Sequence, residues 1–146
     1  MPYRKIQIVA LVVVVLLAGT TTGVGAQDLT RRGRTLRLLN QQRKKHGLPV
    51  FRLNRSLSYS AWRHSKRMVR RGYIFHTQDL YSFVRAYGPS RWGENVGQAT
   101  WVRQVVRMWM RSAGHRANVL NRGFRRVGVG VVRARGWVWV TAIFYG

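Results

Sequence analysis

The chain has 146 residues, 46% hydrophobic and 12% aromatic, which is enough for one packed domain and excludes a disordered basic tail as a description of the whole. Lys and Arg number 27 against three acids, a formal net charge of +24, so the surface suits anionic polymers or anionic lipid head groups. Cysteine is absent, which excludes a disulfide framework, thiolate catalysis and a thiolate-held metal.

The chain opens with Arg4 and Lys5, then an apolar run over residues 6–18 broken only by Gln7. Small residues follow, with Val24 and Ala26 placed as in a signal-peptidase site. An apolar run this short falls below the ~20 residues of a spanning helix. Residues 1–26 therefore read as a signal peptide cleaved after Ala26, leaving a secreted, monomeric domain of residues 27–146 with no membrane span and a formal charge of +22. An uncleaved anchor is the lesser alternative.

In the mature part, residues 28–46 form the first predicted helix, with Asp28 as its N-cap and Gly47 and Pro49 after its end. Residues 54–72 give the clearest helix. Leu57, Ala61, His64, Ser65 and Met68 recur at helical spacing between an Asn54 cap and a Gly72 terminator. A short helix is expected over residues 79–87, then a short strand or bend over residues 91–97, which are too rich in glycine for a helix. Residues 100–111 are amphipathic, with Val102, Val105, Val106 and Trp109 inward and Arg103, Arg107 and Arg111 outward. Two strands close the chain. Val127, Val129 and Val131 alternate with Gly128 and Gly130, and residues 137–145 are β-branched or aromatic almost throughout, as a covered central strand requires. The order of elements predicts an α+β fold, a sandwich around a small, about three-stranded antiparallel sheet flanked by helices. Each helix carries its own basic stripe, which reads as three separate solvated faces. The Trp residues read mainly as core, with Trp92 and Trp101 as candidates to line a cleft.

Two segments carry more than pattern: Gly93-Glu94-Asn95-Val96, and the run from Trp109 through Ser112, Gly114, His115 and Asn118 to Leu120. With Leu39-Asn40-Gln41-Gln42-Arg43 and His76 in the expected order, they resemble the CAP superfamily, or SCP domain, in its cysteine-free bacterial branch. The resemblance runs from about Leu36 to Phe144. It implies an α-β-α sandwich and a central cavity lined by two His and two acids, in some members holding a divalent metal. Carried over by position, the cavity residues are His76, Glu94 and His115, with Asn95 beside them. Ser112 stands where the second acid usually does.

His76, His115 and Glu94 are therefore the candidate metal ligands. Two imidazoles and a carboxylate suit Zn²⁺ with water in the fourth position. Glu94 has a structural alternative, as an ion pair or as an acceptor for backbone N–H groups in the Gly-rich bend. His64 reads as a satisfied core histidine and His46 as a solvated helix end. Ser112 as a nucleophile with His115 as base is conceivable at i, i+3, but no third group is visible to orient the base. The leading expectation is a secreted, non-enzymatic binding module for a lipid or another envelope ligand. Alternatives are a metal-dependent hydrolase using His76, Glu94 and His115, and a cationic polyanion-binding or antimicrobial protein that would also bind nucleic acid non-specifically in vitro.

Overall fold

The computed structural model describes residues 24–146. The expected signal peptide, residues 1–26, lies almost wholly outside the described residues. The elements are α1 (Val24–Lys45), β1 (Arg52–Leu53), α2 (Arg55–Arg71), α3 (Tyr81–Val84) with a 3₁₀ turn at Arg85–Tyr87, β2 (Trp92–Ala99), α4 (Val102–Arg111), α5 (Ala113–Leu120), β3 (Arg126–Ala134) and β4 (Trp137–Tyr145).

The sheet has four strands in the order β1-β3-β4-β2. β4 runs antiparallel to both β3 and β2, which accounts for its almost complete burial. The sequence predicts an antiparallel sheet throughout. Here β1 adds a short parallel edge beside β3, joined by Arg52 N–H to Arg125 O at 3.0 Å and Asn54 N–H to Val127 O at 2.8 Å. Two residues are too few to show a strand period in sequence, so only the tertiary pairing reveals this element.

The alternation of Val and Gly in β3 explains how the layers form. Val127, Val129 and Val131 join one core with Leu39 of α1, Val102, Val105, Val106 and Trp109 of α4, and Val119 of α5. On the other face, Gly128 and Gly130 let α2 close on the sheet. A Cβ on Gly130 would overlap the Trp62 N and Ala61 C backbone atoms, and one on Gly128 would strike Leu57. No side chain fits there, so glycine is required for the close approach. α2 thus covers one face and α1, α4 and α5 the other, giving an α-β-α sandwich. Each fully buried Val or Leu contributes about 1.5–3 kcal/mol.

Local signals placed α2 well. Asn54 Oδ1 accepts from Leu57 N–H at 2.9 Å, and Gly72 closes the helix in the left-handed region at φ 79°. At α1 the structure corrects the expectation. The helix already runs at Val24, so Asp28 lies inside it and pairs with Arg31 at 3.0 Å instead of capping. α5 is a helix that the sequence pattern does not announce, because Gly114 and the eight-residue length hide the period.

Two other expectations change in three dimensions. Trp109 and Trp139 are buried as core residues but Trp137 is exposed, while Trp101, also exposed, lines a cleft as the sequence suggests. The basic stripes are not three separate faces either: Arg31 and Arg34 of α1 line one cleft together with Arg103 and Arg107 of α4.

One basic side chain is interior. Arg43, near the end of α1, is fully buried and donates to four carbonyls: Pro49 O at 2.6 Å, Val119 O and Asn121 O at 2.9 Å each, and Phe124 O at 3.1 Å. Its guanidinium also lies 4.0 Å from the centre of the Phe51 ring. Burial, with the nearby charge of Arg125, pushes its pKa down to about 10. Arg43 thereby ties α1 to the loop between α5 and β3.

Candidate functional site

The site gathers at the free edge of β2. Strand alternation sends neighbouring side chains of this strand to opposite faces. Glu94 meets the loop that follows α2, whereas Asn95 meets α5.

Glu94 is deeply buried, its side chain 3% exposed. Its Oε2 accepts from His76 Nδ1 at 2.8 Å and from the Thr77 backbone N–H at 2.9 Å, and its Oε1 accepts from the Thr77 hydroxyl at 2.7 Å. Both carboxylate oxygens are therefore engaged. This is close to the structural alternative read from the sequence, with His76 as the pair and the backbone donor supplied by Thr77 and not by the Gly-rich bend. The His76 side chain is 59% exposed.

His115 stands on α5 with its ring centre 6.4 Å from that of His76 and the ring planes 26° apart. Its Nδ1 lies 2.9 Å from Ser112 Oγ. Ser112 is the junction at which α4 ends and α5 begins, and its carbonyl accepts the Arg116 N–H at 2.8 Å. Burial and the adjacent His76 hold the His115 pKa below the usual imidazole value. Asn95 donates to His115 O at 2.9 Å and accepts from Asn118 Nδ2 at 2.9 Å, fixing α5 against the strand.

The structure thus brings His76, Glu94, His115, Ser112 and Asn95 to one place. Sequence reasoning did not single out Thr77 or Asn118, which also reaches Glu94 O at 3.2 Å. Asn118 lies inside the motif run, and Thr77 is marked only by following His76. His64 is buried as expected, with Nε2 donating to Phe75 O at 2.7 Å and Nδ1 accepting from Arg67 at 2.9 Å. It also packs 3.2 Å from the Thr77 hydroxyl, one residue behind the site. His46 is exposed, its Nδ1–H donating to Gln42 O at 2.8 Å.

The donor set falls short of a catalytic zinc centre. Such a centre uses three protein ligands and an open position. Here both oxygens of the carboxylate already accept hydrogen bonds from His76 and Thr77, and two imidazoles remain. Among the described residues, no three His, Cys, Asp or Glu side chains form a metal-holding group. The hollow beside the site, about 260 Å³, is lined by Arg67, Arg71, Phe75, His76 and Thr77 among others, and neither Glu94 nor His115 forms part of its wall.

A second cleft of about 270 Å³ opens between α1 and α2 along the part of β3 that β1 leaves unpaired. Its walls are mainly Leu29, Tyr59, Trp62, Val129 and Val131, with Arg32 and Asp28 as the charged residues of the lining. Tyr59 and Trp62 stack 5.8 Å apart.

Residues 36–144 match the model of the family described as "CAP: Cysteine-rich secretory protein family". The Bacillus subtilis (strain 168) protein YkwD is 34% identical over 128 residues, 82% of this chain and 49% of that protein, so the chain spans about half the length of this relative. Among solved structures, an extracellular protein containing an SCP domain from Bacillus anthracis str. Ames superposes with a TM-score of 0.70 at 26% identity, covering 81% of this chain and 41% of that one. An outer surface protein from Borrelia burgdorferi gives a TM-score of 0.69 at 16% identity over 82% of this chain and 92% of the other, a likeness of fold.

Proposed function

Since the chain belongs to the cysteine-rich secretory protein (CAP) family, we propose that it is an exported, non-enzymatic binding module of the cell envelope whose ligand is an amphiphile. The observation that carries this reading is the state of Glu94. A general acid or base must exchange protons with a substrate, and a ligand-binding carboxylate needs a free oxygen. Neither oxygen of Glu94 is without a donor, and solvent scarcely reaches it. Its work is to pin the loop around His76 and Thr77 to β2. With Ser112 in the second acidic position, the pair of separated pKa values that acid–base hydrolysis uses has no second member.

The ligand reading rests on the cleft between α1 and α2. Tyr59 and Trp62 supply a rigid apolar wall, Val129 and Val131 a floor, and Arg32 a cation, while the carboxylate of Asp28 in the same lining is paired with Arg31. Such a cleft fits an acyl chain with an anionic head. Export is supported by the charge, apolar run and small residues over residues 1–26.

Displacement of a fluorescent long-chain carboxylate tests this function. Binding near one equivalent is expected, and it should weaken at least tenfold in Trp62→Ala while surviving in His115→Ala. Turnover of an activated ester that disappears in Ser112→Ala and His115→Ala would overturn the non-enzymatic reading, since Ser112 and His115 are already within hydrogen-bond reach.

A further inference from the structure

A cleft of about 810 Å³, larger than the two described above, lies between α1 and the start of α4. It shares no lining residue with the hollow beside His76 or with the apolar cleft. Val102 and Val138 line its buried part, and five arginines surround it: Arg31 and Arg34 from α1, Arg103 and Arg107 from α4, and Arg133 from β3. Among the described residues, no acidic side chain lines it. Asp28 pairs with Arg31 from outside, leaving four guanidiniums with no carboxylate of the cleft wall across from them. Arg34, Arg103 and Arg107 are exposed. Trp101 stands at the lip, 62% exposed, with the Arg133 guanidinium 5.4 Å from its ring centre.

Bringing like charges together costs free energy unless counterions or a ligand offset it, and the cost is greatest inside a concave wall of low polarity. Charge alone gives no partner its identity, but the type and arrangement of these groups do. Every cation is arginine, whose fork donates two parallel N–H groups to the paired oxygens of a phosphodiester or of a carboxylate, so the uronate arm of the test below separates these two. Arg103 and Arg107 stand one helical turn apart, about 6 Å along the axis, so they can engage successive charges of one extended strand. A nucleic-acid strand is usually held on a series of aromatic platforms that stack successive bases. Here Trp101 is the single aromatic side chain among the described residues of the cleft.

We propose that this cleft binds a segment of a linear phosphodiester polymer without bases, of the polyol-phosphate type. The inference stands apart from the reading of the apolar cleft and of the His76 site, since none of their residues takes part.

The test uses the full chain and three probes of matched charge number: a synthetic poly(glycerol phosphate) oligomer, oligothymidylate and oligogalacturonate. Affinity is measured calorimetrically across a salt series. The double variant Arg103→Gln/Arg107→Gln removes two cleft charges, and Arg63→Gln/Arg70→Gln removes two exposed charges from α2, outside the cleft. Arg34→Gln probes the α1 wall independently. At about 0.15 M salt the cleft double should lose roughly tenfold or more in affinity for poly(glycerol phosphate), with the log–log salt slope falling by about two. The α2 double should lose less than about twofold, and Arg34→Gln should fall between the two. Equal losses in both doubles would replace the cleft with a diffuse cationic surface. Tighter binding of oligothymidylate or oligogalacturonate would overturn the polymer assignment.

Discussion

Arg43 provides the sharpest test of how this fold is held. Arg43→Met keeps most of the aliphatic stem and the volume but removes the donors that serve Pro49, Val119, Asn121 and Phe124. An acceptor left buried without a partner costs about 1–3 kcal/mol. The loop carrying the Asn121 and Phe124 carbonyls borders solvent at Arg122 and can partly turn outward, and the same low end is taken for the other two. The total is about 3–4 kcal/mol, after allowing that methionine escapes the desolvation that holds the Arg43 pKa down at about 10. A domain of this size unfolds with about 2.1 cal/mol/K of entropy per residue, so the midpoint should fall by about 12–16 °C. Arg43→Lys should lose about half as much, because one ammonium cannot span four acceptors in fork geometry. Differential scanning calorimetry measures the shift, and hydrogen exchange should show the loop of residues 121–125 opening first. A fall of under about 3 °C in Arg43→Met would refute the argument and make the guanidinium a replaceable filler.

Three further outcomes follow from other parts of the molecule. Burial, only partly offset by the bond to Phe75 O and the Glu94 charge, lowers the His64 pKa in the fold. Its contribution is therefore present above about pH 6.5 and lost as pH falls through the folded value, so the melting temperature should drop between pH 7 and 5, with a shallower drop in His64→Gln. Gly130→Ala should destabilise by more than about 3 kcal/mol in a denaturant titration, since its Cβ meets α2 backbone, whereas Gly33→Ala, with nothing within 4 Å, should be neutral or stabilising by up to about 1 kcal/mol. Intact mass of protein recovered outside the cell should begin at Gln27, and a start before residue 20 would contradict the cleavage site read from Val24 and Ala26.

What the sequence determined by itself is local. The Asn54 and Gly72 caps, the valine and tryptophan stripe of α4, and the alternating Val and Gly of β3 each express a period or a backbone need within a few residues. The motif residues His76, Glu94 and His115 were legible because their order resembles that of a known family, and the structure sets them at one strand edge. Their chemistry was not legible. Whether Glu94 is free or consumed depends on Thr77, which the loop after α2 delivers only once Gly128 and Gly130 have let that helix close on the sheet. The same limit explains Arg43, the parallel β1 and the arginine cleft. Each depends on backbone carbonyls, partner strands or charges far away in the chain. A count of 27 basic residues states how strongly the molecule repels itself, but only the packing of α1 beside α4 decides where that repulsion is gathered into a site.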